Sequence, residues 1–143
     1  MSGEASHVGN LAIVGLGARV HLFVRPEDRT SFTALFRDVL GCGVMERDVG
    51  LAHPILFVAF GDGSGFSVEF SELAPQPPAE PIDDATASRG AWIEFRTADL
   101  AGCQQRVREA GIPAFRHPGS SHAYFSAPGG QVFRILDVAY VGP

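Results

Sequence analysis

The chain has 143 residues, 45% of them hydrophobic, which suffices for one sizeable core without staples and is too little for two full domains. A formal charge of −5 and a pI near 5.4 give no basic field of the kind that draws a protein onto phosphate backbones or anionic lipid, so nucleic acid and membranes are poor partners. The two cysteines, Cys42 and Cys103, lie far apart in or beside apparent helices and form no C-x-x-C pair, which predicts reduced thiols and a cytoplasmic protein.

Residues 1–18 read as an N-terminal arm. They lack the basic start and apolar run of a signal peptide, and no apolar run in the chain reaches membrane-spanning length. Leu-Ala-Ile-Val-Gly-Leu-Gly at 11–17 resembles a strand entering a dinucleotide fingerprint. However, Val20 stands where the third glycine belongs, and β-prone sequence follows where a helix is required, so a glycine turn is the expectation.

A single domain is predicted over 19–138, in two modules. In the first, 19–73, residues 20–25 alternate as a strand, with Val20, Leu22 and Val24 on one face and His21, Phe23 and Arg25 on the other. Pro26, Glu27 and Asp28 begin a helix carrying Phe32, Leu35, Phe36, Val39 and Leu40 at helical spacing, and Gly41 stops it. Strands follow near 44–48, 54–60 and 66–71, the last two joined by the turn 61–65. A connector, 74–90, is marked by Pro75, Pro77, Pro78 and Pro81.

The same order then returns over 91–138: a strand at 91–96, a helix capped by Asp99 and stopped by Gly111 and Pro113, short strands near 114–116 and 122–126, a turn at Pro128-Gly129-Gly130, and a last strand at 131–138. Residues 139–143 form a tail. The fold class expected is α+β, with two βαβββ modules forming a curved mixed sheet around a ligand cup. An internal repeat of this kind implies that neither module buries its sheet alone.

The helix end Phe36-Arg37-Asp38-Val39-Leu40-Gly41, the run Phe95-Arg96-Thr97-Ala98-Asp99-Leu100 with its exit Ala110-Gly111-Ile112, and the turn Pro128-Gly129-Gly130-Gln131 resemble the vicinal oxygen chelate superfamily. That superfamily includes glyoxalase I, bleomycin-resistance proteins and extradiol dioxygenases. The resemblance implies four inward positions that converge on a divalent ion in metal-using members, and here they fall on His21, Glu69, Trp92 and Arg134. The first two are usual ligands. Indole cannot coordinate, and a guanidinium stays cationic, so Trp92 and Arg134 each remove one.

Two readings follow from this. In the favoured one there is no cofactor, and Arg134 faces Glu69 or an anionic ligand group. In the other a divalent metal is kept, by His21 and Glu69, with a neighbour such as Glu94 replacing a lost ligand. Strand alternation lines the cup with His21, Phe23, Arg25, Ser67, Glu69, Ser71, Trp92, Glu94, Arg96 and Arg134, with Tyr124 nearby, a surface suited to a planar or aromatic anionic molecule. Each of these residues also has a plainer reading: His21 as a hydrogen-bonded strand histidine, and Phe23, Trp92 and Tyr124 as packing aromatics. His53, His117 and His122 read as surface residues.

The leading expectation for function is a metal-independent small-molecule-binding protein of the bleomycin-resistance type, acting as a homodimer. The alternative is a lyase, isomerase or dioxygenase-type enzyme in which Glu69 or Glu94 is the base and Arg134 stabilises an enolate. A domain with a vestigial site is the third possibility.

Overall fold

The computed structural model describes residues 13–78, 86–117 and 119–142; most of the N-terminal arm, the middle of the connector with Pro81, Pro118 and Pro143 lie outside the described residues. In β1 (His21–Val24) the expected alternation holds: Leu22 and Val24 are buried, while His21 and Phe23 are exposed. Proline fixes φ for the 3₁₀ turn Pro26–Asp28, whose last N–H donates to the Arg25 carbonyl at 3.0 Å rather than to a side-chain cap. Helix α1 (Arg29–Ala34) runs straight into a wider π-helical turn, Leu35–Val39. Phe32, Leu35 and Phe36 fall on one stripe and are fully buried. Gly41, at φ 72°, ends the segment in the left-handed conformation that glycine adopts without steric cost.

Strands β2 (Gly43–Arg47), β3 (Ile55–Ala59) and β4 (Gly65–Phe70) form an antiparallel meander, and β1 adds to β4 in parallel, giving the order β1-β4-β3-β2. The second module repeats this plan. After β5 (Trp92–Thr97), the Asp99 carboxylate accepts the Gly102 N–H at 3.0 Å and caps α2 (Leu100–Glu109). Strands β6 (Ala114–Phe115), β7 (Ala123–Ser126) and β8 (Val132–Asp137) complete a sheet of order β5-β8-β7-β6, with β5 parallel to β8. The registers match as well: His21 lies opposite Ser67 with Glu69 two residues on, and Trp92 lies opposite Val132 with Arg134 two residues on. His21 and Trp92 are therefore equivalent positions, as are Glu69 and Arg134.

The two modules share one core. Phe36 meets Phe133 at 5.2 Å between ring centroids, Phe66 meets Phe133 at 5.8 Å, and Phe60 stacks on Phe95 at 5.7 Å. Each fully buried phenylalanine contributes roughly 1.5–3 kcal/mol relative to exposure, so this seam holds the modules together. The Arg106 guanidinium in α2 adds a hydrogen bond across it, to the Val39 carbonyl at 3.1 Å.

Both βαβββ modules are thus present, as two four-stranded mixed sheets. Among the described residues no strand ladder joins them. Because the apolar faces meet at the seam, the polar faces carrying His21 and Trp92 lie on the far side of their sheets from the shared core, and no hydrogen bond or ion pair among the described residues joins one polar face to the other. Among the described residues no helix is long and apolar enough to cross a membrane.

Candidate functional site

On the first module's polar face, the Ser67 hydroxyl and His21 Nδ1 share a hydrogen bond of 2.6 Å, and His21 Nε2 lies 3.7 Å from Glu69 Oε1. Phe23 packs its ring against the imidazole at 5.0 Å and is otherwise 55% exposed. Arg25 takes no part, since it is spent on the Glu72 and Ala74 carbonyls and on the Glu27 and Glu72 carboxylates.

The second module's polar face is built around Glu94. Arg134 Nη2 donates to Glu94 Oε1 at 2.6 Å, and Arg96 Nε donates to Glu94 Oε2 at 3.2 Å while its Nη1 reaches the Tyr140 carbonyl at 2.8 Å. Within the chain Arg134 thus bonds Glu94, its register partner on β5, where the sequence suggested Glu69 or an anionic ligand group. Burial works to raise the Glu94 carboxyl, but hydrogen bonds and charge from both arginines outweigh it and hold the group below the ordinary glutamate range. The Arg134 carbon Cζ also sits 3.9 Å over the Trp92 ring centroid, a cation–π contact that covers one indole face and leaves the residue 42% exposed. Tyr124, 4% exposed, lies opposite Arg134 on β7 and meets Trp92 edge-on at 6.2 Å.

Beside this cluster is a recess of about 300 Å³ walled by Trp92, Tyr124, Val132, His117 and residues 87–91, Arg89 among them. Arg89 belongs to the connector, and its Nη1 donates to the Ser126 hydroxyl at 2.7 Å and the Gly130 carbonyl at 3.3 Å. His117 was expected on the surface; instead it is half-buried, with its ring 4.4 Å from Tyr124 and 5.3 Å from Phe115. Neither residue stands out in the sequence as part of a binding wall. The available signal was slight: Arg89 is the one charge in Thr-Ala-Ser-Arg-Gly-Ala-Trp, a run that otherwise reads as spacer.

A larger groove of about 860 Å³ follows the seam between the modules. Its charged residues Asp62, Glu94, Arg96 and Arg106 already bond to one another, to Ser64 or to backbone. Burial pushes the Cys42 thiol up to about 11 and raises Cys103 too, so neither is poised as a nucleophile.

No family model and no curated protein matches the sequence. Solved structures do. A possible glyoxalase from Bacillus cereus superposes with a TM-score of 0.58 at 15% identity, over 85% of this chain and 98% of that one. TnmS3, an antibiotic-binding protein from Streptomyces, gives 0.57 at 17% identity over 89% and 98%. A mutant of the fosfomycin resistance protein FosX from Listeria monocytogenes, complexed with Mn(II) and a dihydroxypropylphosphonic acid, gives 0.59 at 16% identity over 87% and 92%.

The chain has the vicinal oxygen chelate fold. In a vicinal oxygen chelate fold the four equivalent positions are where a metal would be sought, and here the donor set does not fit one. His21 and Glu69 supply two donors on one module, while the other module presents an indole and a guanidinium. Among the described residues no group of three or more histidine, cysteine, aspartate or glutamate side chains could hold a metal ion.

Proposed function

We propose that this protein binds a planar organic molecule against Trp92, without a metal and without transforming it. The observation that carries this reading is the half-exposed indole, braced on one face by Arg134 and opening on the recess walled by Tyr124. A fixed aromatic plane offers stacking area at little entropic cost, and a recess of about 300 Å³ is at the small end of ligand sites. The likeness to an antibiotic-binding protein supports the same class of activity. Proton abstraction by Glu94 has less support, because a carboxylate held ionised by two arginines is a weak base.

We further propose a homodimer, in which the His21–Glu69 face of one protomer meets the Trp92–Arg134 face of its partner. Support comes from the equivalent registers of the two faces, which no hydrogen bond or ion pair among the described residues joins to each other.

The test is native mass spectrometry of freshly purified protein, followed by thermal-shift screening of planar compounds and product analysis of every hit. One equivalent of an unaltered compound is expected, with Trp92→Ala weakening it at least tenfold. Conversion of the bound compound, or indifference to Trp92→Ala, defeats the proposal.

A further inference from the structure

Buried polar groups in folded proteins almost always have hydrogen-bond partners, since stranding one away from water costs free energy. Among the described residues, four side-chain nitrogens are buried without a partner: Arg29 Nε, Arg89 Nη2, His117 Nε2 and Arg134 Nε. Two of the four belong to one place. Arg89 and His117 line the recess, and a third, Arg134, stacks on Trp92, which lines it too. Unmet hydrogen-bonding demand gathered in this way points to a partner the chain does not itself supply.

The charges say what kind of partner. Arg134 is matched by Glu94 at 2.6 Å. Arg89 has only neutral partners, the Ser126 hydroxyl and the Thr86 and Gly130 carbonyls, and no carboxylate among the described residues pairs with it. A guanidinium is cationic at any ordinary pH, so among the described residues the recess carries a positive charge with no paired carboxylate, next to the His117 imidazole. An oxyanion bound there would pair with the Arg89 guanidinium and the His117 imidazole, the two polar side chains of the wall with unmet nitrogens, while an attached ring lay along Trp92.

We propose that the recess receives the carboxylate of a single-ring aromatic acid, anchored by Arg89 and His117. This rests on the small-molecule reading of the same recess and moves the anion-holding role from Arg134, where the sequence put it, to an arginine of the connector.

Trp92 is the only tryptophan in the chain, so its emission reports on the recess directly. Benzoate, benzamide and acetate serve as titrants. Benzoate is expected to change the emission saturably with at least tenfold higher affinity than benzamide, its uncharged counterpart, and than acetate, which lacks the ring. Arg89→Met should abolish the preference for benzoate over benzamide, and His117→Asn should weaken benzoate several-fold while leaving benzamide unchanged. Should Arg89→Met fail to fold, because Arg89 also ties the connector to Ser126, the wild-type preference and the His117 variant decide the matter.

Equal affinity for benzoate and benzamide, or a preference that survives both substitutions, overturns the anchoring role and leaves ring binding standing. Acetate binding as well as benzoate overturns the aromatic part. If none of the three perturbs Trp92, this proposal fails, whereas the small-molecule reading is judged separately by the co-purification experiment, which does not depend on an acid.

Discussion

Arg134 occupies the position where the family resemblance implies a carboxylate, and its environment makes it a brace. Its side chain is 13% exposed, bonded to Glu94 and set over the Trp92 ring. Arg134→Met removes both contacts and leaves Glu94 with Arg96 alone, at an expected cost of about 1–3 kcal/mol in folding. The sign of the pH dependence follows from Glu94. Its folded-state pKa lies below the unfolded one, so the stabilisation is fully present above the ordinary glutamate value of about 4.3 and is lost as pH falls through the folded value. Urea denaturation should accordingly find the wild type clearly more stable than Arg134→Met at pH 7, with the gap shrinking below about pH 4. A gap that stays constant with pH would assign the whole effect to packing on Trp92.

At the scale of elements, the turn between β7 and β8 ties the second module to the first. Gly129 adopts φ 92°, and a Cβ there would lie 2.6 Å from Val24 Cγ1 in β1, so no larger residue fits in either conformation or space. Gly129→Ala is expected to lower the melting temperature by several degrees; a melting temperature unchanged from wild type would mean the close approach to β1 is absent in solution. Sequence patterning found this turn and nearly every element around it, because period-two alternation in β1 and the helical stripe of Phe32, Leu35 and Phe36 are local signals. What patterning could not convey was how the sheets meet. Alternation says that Leu22 and His21 point to opposite sides, but only the packing of Phe66 on Phe133 decides that the apolar sides face each other. The same limit hid Arg89 and His117, which join Trp92 in lining one recess from a connector and a strand end. Nor could patterning convey that Arg134 bonds Glu94, a pairing that follows from the parallel register of β5 with β8.

Across the whole molecule, the proposed pairing of polar faces has a direct mass signature. Each chain weighs 15.2 kDa, and light scattering at micromolar concentration should return about twice that mass. A species of one chain's mass would mean that the His21 and Trp92 faces stay open to solvent. The shared aromatic seam has a different consequence. Phe36 and Phe66 are covered by Phe133, and Phe60 by Phe95, so each module completes the other's interior. The two halves look like repeats, yet neither is an interchangeable cassette: a module transplanted into another protein of this fold would keep its strands and lose the opposing rings that fit them. The internal symmetry belongs to the backbone, while the side chains along the seam have become a matched pair.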